Sequence, residues 1–67
     1  MENKHVICDL LLLTLKATDN LKDLKSLEFD EEKEIVTATF MDGREKKANV
    51  VFDSGTAMIS DIVRQIV

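Results

Sequence analysis

Ile35-Val36-Thr37-Ala38-Thr39-Phe40-Met41-Asp42-Gly43-Arg44-Glu45-Lys46-Lys47-Ala48-Asn49-Val50 is the stretch on which the fold turns. Val36, Ala38 and Phe40 alternate with Thr37 and Thr39, the period of a strand with one covered face. Ala48, Val50 and Phe52 repeat that alternation. Strands are therefore expected over Ile35 to Met41 and Arg44 to Phe52. Asp42-Gly43 between them signals a hairpin. A two-residue turn would set Met41 opposite Arg44 and throw the two apolar sets onto opposite faces. A type I turn through Phe40 to Gly43, with Gly43 left-handed as a bulge, sets Phe40 opposite Arg44 and Val36 opposite Ala48. Both sets then share a side. A one-residue slip inverts every side chain, so the bulged turn is the expected one.

Working back along the chain, Lys25 to Asp30 reads as another strand. Phe29 opposite Val36 and Leu27 opposite Ala38 leave Glu31 to Glu34 as a four-residue loop, whose backbone Asp30 can accept from. One sheet face then carries Leu27, Phe29, Val36, Ala38, Phe40, Ala48, Val50 and Phe52, so all three phenylalanines belong to the core. Working forward, Asp53-Ser54-Gly55-Thr56 offers N-cap oxygens. A helix from about Thr56 to Val67 follows, with Ile59, Ile62, Val63 and Ile66 facing inward.

Residues 3 to 18 read as a first helix, rich in leucine and free of glycine and proline. His5, Asp9, Leu12, Lys16 and Asp19 fall in one stripe at helical spacing, the expected wet face. The remaining apolar residues span about 200° of the wheel, where one buried face needs little more than 100°. Cys8, Leu11 and Leu15, or else Val6 and Leu13, therefore need cover from the second helix or from another molecule. A buried strand through Val6 to Leu15 is the alternative, because dense apolar runs hide their period. The expected fold is α+β: a two-layer helix, three-stranded antiparallel meander and helix, with both helices on one sheet face. Residues 1–67 are read as one domain.

A chain of 67 residues buries only about 60% of the surface its unfolded form exposes, and such chains often rely on disulfides, metals or a second copy. One cysteine, Cys8, and one histidine, His5, provide neither an intrachain disulfide nor a zinc cluster. Self-association remains, and a homodimer is expected. The candidate surface is Val6, Cys8, Leu11, Leu12 and Leu15, where oxidation of Cys8 would link two paired helices. The net charge of −4, with Glu28, Glu31, Glu32 and Glu34 near one turn and only Arg44, Lys46 and Lys47 as a basic counterpart, makes a poor binder of phosphate backbones. Asp9 interrupts the apolar stretch after Lys4 and no cleavage site follows, so neither an export signal nor a membrane span is expected, and the setting is read as cytoplasmic.

Three functional readings follow. The first is a non-enzymatic interaction module without cofactor or metal, dimeric through its first helix. The second is an acidic inhibitor or decoy that offers Glu28, Glu31, Glu32 and Glu34 to the basic groove of a nucleic-acid-binding partner. The third comes from Val50-Val51-Phe52-Asp53-Ser54-Gly55-Thr56-Ala57. This segment resembles the aspartic protease active-site sequence, in which two hydrophobic residues precede Asp-Ser/Thr-Gly. That resemblance, over about eight residues, implies that Asp53 shares a proton with its counterpart across a dimer axis. The surrounding strands and flap of that family have no counterpart here, since an amphipathic helix pattern follows at once. His5 and Asp9, four residues apart, are read as a surface pair.

Overall fold

The computed structural model describes residues 3–66. Its elements run in the order α1 (Lys4–Lys16), β1 (Leu24–Asp30), β2 (Ile35–Phe40), β3 (Glu45–Asn49) and α2 (Gly55–Ile66). Val67, expected to end the second helix, lies outside the described residues.

Asp42 and Gly43 turn the chain as the face pattern requires. Gly43 has φ +91°, its N–H donates to the Phe40 carbonyl at 2.9 Å, and Phe40 N–H donates to the Arg44 carbonyl at 2.9 Å. Val36 then pairs with Ala48 and Ala38 with Lys46. In the first hairpin Phe29 pairs with Val36 and Leu27 with Ala38. Asp30 Oδ1 accepts from the backbone N–H groups of Glu32 and Lys33, which closes the Glu31–Glu34 turn. The sheet is an antiparallel meander in the order β1-β2-β3.

Strand β1 adds a feature that the alternation does not show. Its register slips between Leu24 and Ser26, so an extra residue sits against β2 as a bulge. Leu24 and Leu27 are an odd number of residues apart and would otherwise point to opposite faces. The bulge turns both inward, and both are buried, as is Leu21 in the preceding turn. These residues join Cys8, Leu15, Val36, Ala38, Phe40, Ala48, Val50, Met58, Ile62 and Ile66 in a single core. Helix α1 packs mainly over β1 and helix α2 over β3. Among the described residues the opposite sheet face carries no helix.

Both helices start on side-chain caps. Asn3 Oδ1 accepts from Val6 N–H at 3.1 Å. Ser54 Oγ accepts from Ala57 N–H at 3.2 Å. At the end of α1 the Leu15 carbonyl accepts from both the N–H and the hydroxyl of Thr18. Among the described residues no helix is long and apolar enough to cross a membrane.

Three expectations are corrected here. Strand β3 ends at Asn49 rather than Phe52, because β2 begins at Ile35 and offers no ladder partner beyond it. The last contact of this kind is Val50 N–H to the Glu34 carbonyl. Asn49 Oδ1 then captures Val51 N–H and Asp53 N–H bonds back to Val50, which turns the chain toward α2. Phe52 sits at the crest of this turn, 97% exposed, with φ +64°. It is not a core residue, and of the three phenylalanines only Phe40 is fully buried. In α2 the buried stripe is Gly55, Met58, Ile62 and Ile66. Ile59 and Val63 lie on its flank, each 37% exposed.

A bulky side chain in the left-handed region is strained by roughly 1–2 kcal/mol, and Phe52 gains no burial in return. Phe52→Gly should therefore stabilise the fold by roughly 1 kcal/mol, raising the thermal midpoint by about 4–8 °C for a domain this small. A clear loss of stability in the variant would show that Phe52 is packed against the body of the protein.

Candidate functional site

Helix α1 carries apolar residues around most of its circumference, but the sheet covers only one side of it. Cys8 and Leu15 are buried in the core, at 1% and 6% exposure. Ile7, Leu11 and Leu12 are half-buried against them. On the far side Val6 is 46%, Leu10 60% and Leu13 68% exposed. Val6, Leu10, Leu13 and the exposed Ala17 step by four, three and four residues, so they form one stripe. At about 100° per residue that stripe lies about 180° from Cys8 and Leu15.

Of the surface expected from sequence, Val6 alone faces outward. Cys8 and Leu15 belong to the core and Leu11 and Leu12 flank it, so the sheet itself supplies the cover these residues need. The other outward positions are Leu13, which the sequence pairs with Val6 as the alternative set in need of cover, and Leu10, which it does not single out from the apolar girdle. The expected wet stripe holds at His5, Asp9, Lys16 and Asp19, all exposed, but Leu12 is drawn half inward. Burial pushes the Cys8 thiol up to about 11, and the neighbouring Asp9 carboxylate adds to the shift. A buried, protonated thiol neither attacks an electrophile nor reaches a second cysteine, so the interchain disulfide expected at Cys8 does not fit this placement.

The acidic turn is tied to the start of α1. Lys4 Nζ meets Glu34 Oε1 at 3.3 Å. His5 Nε2 lies 2.6 Å from Glu31 Oε1 and edge-on to Phe29, with ring centroids 5.3 Å apart. His5 thus takes Glu31 across the fold in place of Asp9 along the helix. Two of the four carboxylates expected to face a partner are engaged within the chain. Glu28 and Glu32 are exposed and form no ion pair among the described residues.

The basic residues near the second hairpin are mostly committed as well. Arg44 bonds Asp42 and Asp23 and lies 5.0 Å over the Phe40 ring. The Arg44 backbone N–H and guanidinium hold the Asp42 carboxyl below its usual range. Lys46 Nζ donates to the Ile66 carbonyl at 3.1 Å, on the negative end of α2. Lys47 stands apart from these contacts.

Asp53 is the residue that its motif makes most interesting. It lies one position before the Ser54 cap, and the carboxylate beside it is Asp61 of its own chain. Hydrogen bonding of the protonated form to Asp61 raises the Asp53 carboxyl above its ordinary value, with desolvation and the Asp61 charge adding; Lys4 and Arg64 oppose the shift. Two ionised carboxylates cannot hydrogen-bond each other, since both only accept. Asp53 Oδ2 is shielded from water and has no hydrogen-bond partner among the described residues. Asp61 is also bonded by Arg64. Among the described residues no group of three or more His, Cys, Asp or Glu is placed to hold a metal ion.

Comparison with protein-family models, with curated proteins and with solved structures found no match to this chain.

The Asp53–Asp61 contact has a definite pH signature. With the Asp53 value raised on folding, the native state holds a proton that the unfolded chain has already released. This contact therefore favours the fold most in acid, and its contribution falls as pH rises through the raised value. Asp53→Asn keeps a donor toward Asp61 at every pH. The variant should match the parent near pH 4 and exceed it in thermal midpoint near pH 7. A variant less stable than the parent at neutral pH would show that the Asp53 charge serves the α2 N-terminus instead.

Proposed function

We propose that this protein is a non-enzymatic interaction module that self-associates through the outward face of its first helix. The observation that carries the reading is the stripe Val6, Leu10, Leu13 and Ala17. Its three large side chains are 46–68% exposed, diametrically opposite the face that builds the core. A helix needs one apolar face to pack on a sheet. The second face adds nothing to the isolated fold and is exposed as a contiguous apolar strip, a feature associated with protein contacts. The small size of the chain adds to this, since a second copy is one of the few ways a domain without disulfides or metals gains buried area. The non-enzymatic part of the reading is supported by the buried thiol of Cys8, by the use of His5 and Glu31 on each other, and by the position of Asp53 before a helix cap.

Leu10→Lys/Leu13→Lys separates this stripe from the core. Both side chains are solvent-exposed, so the double variant should unfold within about 0.5 kcal/mol of the parent per substitution. Light scattering at several protein concentrations should show a mass that rises with concentration for the parent and stays monomeric for the variant. A parent that is monomeric up to millimolar concentration contradicts the proposal.

A further inference from the structure

The outer stripe of α1 has a spacing and a charged border that together specify how a second copy would sit on it. We infer that two copies pair their first helices antiparallel about a two-fold axis passing between Leu11 and Leu12, with Asp9 of each copy facing Lys16 of the other. This rests on the self-association proposed above and adds its geometry.

In an antiparallel two-fold pair, positions equidistant from the axis meet. With the axis between Leu11 and Leu12, Leu10 meets Leu13 of the second copy and Val6 meets Ala17, and both contacts are made twice. Every member of the stripe thus lands on another member. Large side chains meet at the centre, and Val6 meets a small residue at each end.

The flank decides the direction. At about 100° per residue, Asp9 and Lys16 lie on the same border of the stripe, within about 20° of each other. Both are exposed, and neither takes part in an ion pair among the described residues. In the antiparallel arrangement like flanks adjoin and the chain direction reverses. Asp9 of one helix then comes within two residues, about 3 Å along the axis, of Lys16 of the other, a gap that a lysine side chain spans. A parallel pair would set this charged flank against the opposite border, where Ile7 is half-buried and the Thr14 hydroxyl already donates to the Leu10 carbonyl. Asp9 and Lys16 would then have no partner. The charges therefore favour the antiparallel pair.

A contact of one helix on one helix covers less than the roughly 800 Å² per partner of a standard stable interface. Dissociation in the micromolar range or weaker is expected, and the association should weaken with salt.

The test is a charge-reversal cycle measured by sedimentation equilibrium. The proteins are the parent, Asp9→Lys, Lys16→Glu and the double variant, each checked for an unchanged fold by circular dichroism. Each single change puts like charges together twice per dimer and should lower the association constant about three- to thirty-fold. The double variant should return to within about two-fold of the parent, and high salt should compress all the differences. Dimers that are indifferent to the single changes, or a double variant as weak as the singles, would overturn the antiparallel pairing while leaving self-association standing. A parent that never dimerises would overturn both. The concentration dependence of the parent's own mass distinguishes the two failures.

Discussion

A three-stranded sheet with one apolar face can cover one side of each helix laid on it, and most of what this protein shows follows from that limit. Helix α2 obeys it closely, with Met58, Ile62 and Ile66 buried and polar residues beyond its flanks. Helix α1 does not. Its inner side supplies Cys8 and Leu15 to the core, while an equally apolar outer side is left in water. Since about 25 cal/mol is gained for each Å² of apolar surface removed from water, exposing Leu10 and Leu13 gives up free energy that a marginal domain can use. The position of those leucines is what distinguishes this chain from a generic small α+β fold.

The charges reinforce the same division. Lys4 and His5 bind the start of α1 to the acidic turn through Glu34 and Glu31. Arg44 and Lys46 spend themselves on Asp42, Asp23 and the end of α2. Most of the charged residues that stand out in the sequence therefore brace the ends of elements. Exposed ion pairs of this kind contribute little each; they tether the start of α1 to the acidic turn, while packing against β1 decides which face of the helix is turned outward. What remains uncommitted on α1 is the apolar stripe and its border of Asp9 and Lys16.

Much of the architecture was legible in the sequence because a few residues over-determine it. The register of β2 and β3 follows from Gly43, since only the bulged turn puts Val36 and Ala48 on one side. Asp30 marks the first turn just as clearly. Other features were not legible for physical reasons. The bulge at the start of β1 hides Leu24 behind an apparent break in alternation. The reach of β3 depends on where β2 ends, a tertiary fact, and so Phe52 passed for a core residue. For α1 the composition stated that apolar surface exceeded what the sheet could cover, but not which side would be left out. An almost uniformly apolar wheel has no phase of its own, and Leu24 and Leu27 select Cys8 and Leu15 by packing.

In the proposed dimer the two sides of α1 have different occupants, the core on one and a second copy on the other. Methyl-resolved nuclear magnetic resonance over a dilution series addresses it most directly, because each side chain reports for itself. The methyl signals of Val6, Leu10 and Leu13 should shift with concentration while those of Leu15, Leu24 and Ile62 stay fixed. Signals of the outer stripe that do not move at any concentration, or shifts that spread instead through the core, would contradict it.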